Sequence, residues 1–356
     1  MRVVFDVSPL SHARAGIGNY MLAALRGLRE NGADVVAFAP VSVQGRRNVE
    51  QALAGIDVET RLLVLPVAHA WRTAWSRLGR PATERWLGPF DVLHFSDWMF
   101  PPQKGGVRAT TIHDLVPMRF PEWTHGRTVQ MHGAKYRHAA QTAHVLVCNS
   151  EFTARDVREL LHVPAERVHV AHPAAALVFT REGKRADLGR PYALTVATLE
   201  PRKNLETLLD AHELLDGEFA LAVVGAAGWG LQPRLDRPGV IRLGYVDDEE
   251  LAELYRGASL FVYPSRFEGF GIPVLEAMAS GAPVVASAHS SLDEACGDAA
   301  VRADPDSAEA IAAAIAEALG RRDELVRLGS AQAARFSARA TGEAFLAAYA
   351  YAAARL

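Results

Sequence analysis

The sequence predicts an α/β protein made of two doubly wound, Rossmann-like domains. Three observations carry this. The chain has 356 residues, more than one ordinary hydrophobic core accommodates. Short runs rich in Val, Ile and Leu alternate with segments of helical period, the pattern of buried parallel strands covered by helices. That alternation occurs twice, on either side of a stretch without periodicity.

In the first half, "RVVFDV" (2–7), "ADVVAFA" (33–39), "DVLHFS" (91–96), "RATTIHD" (108–114) and "AHVLVCNS" (143–150) read as strands, with helices over 17–30 and 150–162. In the second, "YALTVAT" (192–198), "FALAVVG" (219–225), "GVIRLGYV" (239–246), "SLFVYPS" (259–265) and "APVVAS" (282–287) repeat the pattern. The weakest stretch, 171–191, is the expected linker. The expected domains are residues 1–175 and 176–340, with a final helix over 341–356 packing back on the first. In doubly wound sheets ligands bind beyond the carboxyl ends of the strands, so two such edges facing each other across a cleft would form the site.

Composition narrows the class. Hydrophobic residues make up 49% and charged residues 22%, as in globular proteins. No apolar run reaches the roughly 20 residues of a membrane span. "MRVVFDVSPL" lacks the apolar core and cleavage site of a signal peptide, so a cytoplasmic location is expected. Cys148 and Cys296 follow no metal spacing and read as small buried apolar residues. The net charge of −3 gives nucleic acid no electrostatic support. The first 175 residues carry 20 Lys and Arg against 15 Asp and Glu, and the remainder 18 against 26. Either solvated helices or an anion-facing first half would produce this.

"EGFGIPVLEAMASGAPVVAS" (268–287) concentrates the chemistry. A strand stops at Pro264. Gly269 and Gly271 permit a turn and close approach of a ligand, Pro273 suits a first helical position, and Gly281 suits the helix end. The backbone around Gly271 to Leu275 is then a helix N-terminus suited to a phosphate. Glu276, read as lying in the first turn, and Glu268, on the other side of the glycines, could accept bonds from hydroxyls. A nucleotide sugar has that layout; a generic strand–turn–helix unit with a dipole-favoured Glu has the same spacing.

The whole segment "PSRFEGFGIPVLEAMASGAPVVAS" resembles the donor-site signature of retaining GT-B glycosyltransferases of family 4. "VATLEPRKNLETLLDA" (196–211), "VVGAAGWG" (223–230), "IRLGYVDDEELAELYRGASLFVYPS" (241–265) and "SSLDEACGDAAVRADPDSAEAIAAAI" (290–315) follow the family's order. "DVSPLSHARAGIGNY" (6–20) and "TTIHDLVP" (111–117) match more loosely. The resemblance implies a GT-B fold and transfer of a hexose from a nucleoside-diphosphate sugar, a co-substrate rather than a cofactor, without a metal. It implies Glu276 on the ribose and Glu268 at the hexose. The backbone of Phe270, Gly271 and Ile272 would line the hexose and its phosphate, and that of Val274 and Leu275 the diphosphate. Lys203 would pair with the diphosphate, and His113 would stand near the transferred sugar. Gly16 and Gly18 would form the first-domain loop near the donor phosphates, and Tyr245, Val246, Asp248 and Leu251 the base-contacting region. The implied catalytic set is His113, Glu268 and Lys203.

Two positions depart from the family. Thr198 stands where many relatives have an Arg, a diphosphate contact that Arg202 or Arg14 could replace, and Asn19 follows Gly18 where relatives often have Arg. Lys203 is read at the start of a helix over 203–215, where the dipole disfavours a cation. An acid in "GYVDDEEL" (244–251) could pair with guanine, the basis for a GDP-mannose-like donor, or cap the helix beginning near Glu249. "DPD" (304–306) reads as a cap for the helix over 307–319. The segment 70–90 interleaves Trp71, Trp75 and Trp86 with Arg72, Arg77, Arg80 and Arg85. It suits either an anionic membrane face bearing a lipid-linked or saccharide acceptor, or Trp residues on the core with solvated Arg residues. The competing classes are a non-catalytic sugar-nucleotide-binding partner subunit, an epimerase or phosphorylase of the same fold, and an NAD enzyme. "VVGAAGWG" lacks the acidic partner that the last requires.

Overall fold

The computed structural model describes residues 1–12, 16–96, 99–124, 126–215, 217, 219–226, 228 and 233–356. The chain forms two compact units. One comprises Met1–Arg119, Gly126–Ala174 and Ser337–Leu356, and the other Phe120–His125 with Ala175–Phe336. The change of unit after Ala174 falls inside the expected linker. The final return comes at Ser337, earlier than the expected 341.

The first unit holds β1 (Arg2–Asp6), β2 (Asp34–Val41), β3 (Glu59–Val64), β4 (Val92–Phe95), β5 (Val107–Ile112), β6 (Val145–Cys148) and β7 (Val168–Val170). They pair in parallel in the order β3-β2-β1-β4-β5-β6-β7. The second holds β8 (Tyr192–Val196), β9 (Ala220–Val224), β10 (Val240–Gly244), β11 (Leu260–Tyr263), β12 (Val284–Ser287) and β13 (Ala300–Ala303). Their parallel order is β10-β9-β8-β11-β12-β13. Both sheets are doubly wound. Period-2 alternation divides each central strand between two cores: Phe261 and Tyr263 of β11 enter one, Leu260 and Val262 the other. Burial on both faces explains why these strands read as continuous apolar runs.

In the first unit the last helix, Ala338–Ala353, lies against the helix Gly16–Glu30. The backbones touch because two glycines face each other. A Cβ on Gly27 would stand 1.7 Å from the Ala338 carbonyl oxygen, and one on Gly342 would stand 2.1 Å from the Gly27 carbonyl carbon. Thr341 adds a 2.7 Å hydrogen bond to the His172 carbonyl.

Several expectations resolve here. Trp71, Trp75 and Trp86 pack on one another at 4.9–5.9 Å between ring centroids, and Trp75 meets Phe38. Trp75 and Arg72 are buried, whereas Arg77, Arg80 and Arg85 are exposed. The indoles therefore pack on one another and on the core, with Trp71 and Trp86 part-buried, while three of the four arginines are solvated. Ser307, not the "DPD" triplet, caps the helix Ala308–Gly320 through the Ala310 N–H. Asp306 instead pairs with Arg266 at 2.8 Å. Both cysteines are buried thiols, and burial raises each above its ordinary pKa. Among the described residues, no helix is long and apolar enough to cross a membrane.

Candidate active site

In the second unit the strand order reverses between β8 and β11, which are hydrogen-bonded neighbours. At such a switch point the loops beyond the two strands diverge and leave a crevice. The loop after β8 carries Arg202 and Lys203, and the loop after β11 carries Glu268. The backbone ties them together: the Arg266 N–H donates to the Arg202 carbonyl at 2.9 Å.

Their side chains converge on one carboxylate. Lys203 Nζ donates to Glu268 Oε1 at 2.7 Å, and an Arg202 nitrogen donates to Glu268 Oε2 at 3.1 Å. Lys203 also donates to the Tyr263 hydroxyl at 2.9 Å and stands 5.2 Å from the centre of that ring. Arg202 further meets Glu200 at 3.1 Å and the Phe267 carbonyl at 3.2 Å. Lys203 and Glu268 are 8% and 7% exposed. Lys203 ends a 3-10 turn, Pro201–Lys203. Asn204 then takes a left-handed conformation with φ 58°, and the helix runs Leu205–Glu213. The expected helix start is thus moved two residues on, and Lys203 stands in the turn before it.

Burial raises the Glu268 carboxyl, but the Lys203 and Arg202 charges, with the hydrogen bond from Lys203, more than reverse this and hold it at about 2. Burial, then the Arg202 charge, lowers the Lys203 ammonium against the opposing pull of Glu268. A carboxyl depressed from 4.5 to about 2 stabilises the fold above its unfolded pKa and loses that contribution as pH falls through its folded one. The stability advantage of the wild type over Glu268→Gln is therefore expected to shrink from pH ~4.5 to ~2. Urea melts of both proteins across this window check it; a constant difference contradicts the ionised pair.

Beyond Glu268 the chain turns through Gly271 at φ 102°, and the helix Ile272–Ala279 begins with no side-chain cap. A Cβ on Gly271 would press within 2.6 Å of the Leu292 side chain. Two corrections follow. Glu276 is the fifth helical residue and so stands in the second turn. The Val274 N–H already donates to the Gly271 carbonyl at 3.0 Å, which removes it from the donors expected there. The Val274, Leu275 and Phe270 side chains are buried in the core; Ile272 is partly buried. Glu276 is 3% exposed and accepts from the Tyr255 hydroxyl at 3.4 Å. Glu268 is steadied through its own N–H, which donates to Ser291 Oγ at 3.1 Å; Ser291 Oγ in turn lies 2.9 Å from His289 Nδ1.

The remaining positions are less concentrated. Thr198 is exposed on the loop after β8. Tyr245 is 61% exposed, while Val246 and Leu251 belong to the apolar core. Asp247 caps the helix Asp248–Gly257 by accepting from the Glu250 N–H at 2.9 Å, and Asp248 is its first residue. In the first unit, Gly16 and Gly18 lie in the opening turn of the helix Gly16–Glu30. His113 follows β5 and meets the Tyr20 ring edge-on at 5.2 Å. Arg14 lies outside the described residues.

The first unit holds polar groups that sequence reasoning missed. Asp6, at the end of β1, is fully buried. It accepts from the Ser8 N–H and hydroxyl at 2.9 and 2.6 Å, from the Ser96 N–H at 3.1 Å and from the Ser96 hydroxyl. It thereby joins the loops beyond β1 and β4, the reversal point of that sheet. Burial raises its carboxyl against these bonds. His94 is bonded to Thr111 and Tyr349. Burial and the nearby His113 hold it at about 3, so it is a neutral core imidazole.

Comparison with known proteins shows the family of the chain. Residues 179–335 match the model for glycosyl transferases group 1, and residues 14–177 match that for Glycosyltransferase Family 4. The chain is 32% identical to O-antigen chain mannosyltransferase B of Escherichia coli, over 95% of this chain and 96% of that protein. The chain belongs to the family 4 glycosyltransferases. Solved structures show the fold of this glycosyltransferase to be GT-B. Sucrose-phosphate synthase from Thermosynechococcus elongatus aligns with TM-score 0.74 at 17% identity over 100% of both chains. Anabaena HepE in complex with UDP and glucose aligns with TM-score 0.66 at 15% identity, over 97% of this chain and 98% of that one. The glycosyltransferase thus has its reversal-point cluster in the half that matches the group 1 model.

Proposed function

We propose that this glycosyltransferase moves a hexose from a nucleoside-diphosphate sugar, GDP-mannose for preference, to an acceptor hydroxyl with retention of anomeric configuration. The acceptor is a saccharide or lipid-linked saccharide in polysaccharide, glycolipid or glycoconjugate synthesis. The observation that carries this reading is the pair of cations, buried Lys203 and part-buried Arg202, gathered with Glu268 beside an uncapped helix start at the strand reversal. Charge develops on the leaving diphosphate as the glycosidic bond breaks. Fixed cations aimed at that position stabilise it without reorganisation and supply what a divalent metal would otherwise provide. Glu268 serves the hexose hydroxyls and Glu276 the ribose. The acceptor attacks from the face the diphosphate leaves, and a departing phosphate oxygen takes its proton. The mannosyltransferase relative supports mannose as the hexose.

Thermal unfolding in the presence of UDP, GDP, ADP, CDP and dTDP tests the donor. GDP is expected to stabilise most, by about 2.7 kcal/mol at 100 times its Kd. A shift with UDP alone overturns the GDP assignment, and no shift with any diphosphate overturns the donor site. Proton NMR of the product then reads its anomeric configuration, and an inverted product rejects retention.

A further inference from the structure

Both oxygens of Glu268 are bonded to the two cations assigned to the diphosphate. Elementary electrostatics explains the pairing. A buried cation without a counter-charge costs several kcal/mol; Glu268 supplies that charge to the buried Lys203 and also meets the part-buried Arg202. The pairing competes with an arriving diphosphate. Two like charges 4 Å apart repel by about 4 kcal/mol at an effective dielectric of 20, so a diphosphate on Lys203 weakens the hold of that ammonium on the Glu268 carboxylate.

The surroundings decide which partner moves. Lys203 keeps the Tyr263 hydroxyl at 2.9 Å and the face of that ring, both on β11. Arg202 keeps Glu200 at 3.1 Å and the Phe267 carbonyl at 3.2 Å. Each cation thus keeps partners besides Glu268, whereas the bonds described for the Glu268 carboxylate are those to the two cations. We infer that Glu268 is an exchangeable internal counter-ion: it neutralises Lys203 and Arg202 until a diphosphate displaces it, and only then is its carboxylate released to the hexose. Sugar recognition is thereby made conditional on occupancy of the phosphate site. Tyr263 is the positioning residue that keeps Lys203 in place during the exchange. The inference rests on the reading of Lys203 as the diphosphate partner.

Inorganic pyrophosphate is the discriminating probe, because it carries no hexose for Glu268 to bind. Isothermal titration is expected to show Glu268→Gln binding pyrophosphate about tenfold more tightly than the wild type, a gain of ~1.4 kcal/mol. Glu268→Asp, one methylene shorter, is expected to fall between them, and it decides the question should the Gln variant fail to fold. Lys203→Ala is expected to lose the binding. Unchanged or weaker binding in the Glu268 variants, with Lys203-dependent binding in the wild type, overturns the counter-ion role and leaves the donor site standing. Absence of binding in every protein overturns both.

Discussion

Lys203→Ala is expected to lower kcat by about 10²–10³-fold, the usual cost of removing one preorganised group from a developing charge. Lys203 is 8% exposed and bonded to Glu268 and Tyr263, so its ammonium is already desolvated and aimed. Alanine removes the charge and leaves Glu268 paired with Arg202. Lys203→Arg is not a conservative rescue, because a planar guanidinium does not fit the point contact with the Tyr263 hydroxyl. Steady-state kinetics with saturating donor separates the outcomes. A fall in kcat supports transition-state stabilisation, a rise in KM alone indicates ground-state binding, and near-wild-type kcat and KM remove Lys203 from the site.

Gly342→Leu is expected to destabilise the first unit by about 3 kcal/mol, at the upper end for overpacking, or ~6–12 °C in Tm for a unit of this size. The obstruction is backbone rather than a yielding side chain: even a Cβ would stand 2.1 Å from the Gly27 carbonyl carbon. The helices Gly16–Glu30 and Ala338–Ala353 would have to separate, breaking the Tyr349 hydroxyl bond to His94 and the Thr341 bond to His172. Gly320→Leu is a matched control, because nothing lies within 4 Å of a Cβ there. Equal melting temperatures for the two variants would refute the close helix contact.

The central strands and the glycine turn were legible because local chemistry dictates them. A strand buried on both faces is mostly apolar, and a helix entered through Gly271 and Pro273 announces its own start. The strands β3, β7 and β13 were not. Each lies at a sheet edge, where "ETRLLV" tolerates Glu59 and Arg61 because one side meets water, and β7 has only three residues. Lys203 and Glu268 were each visible, yet their pairing was not, since it arises where the strand order reverses, and sequence spacing does not encode strand order. Tyr263 was hidden as the last residue of an apolar run. Asp6 sat in plain sight: an acid closing "RVVFD" must find donors when buried, and the serines two residues later and at Ser96 supply them.

The return of the last twenty residues to the first unit sets an order of assembly. A ribosome releases Ala175–Phe336 before Ser337–Leu356 exists outside the tunnel. This works against the usual rule that the N-terminal domain folds first. The second unit has all its residues while the first still lacks the helix that covers Gly27 and bonds His94 through Tyr349. During synthesis the vulnerable part of this protein is the part made earliest.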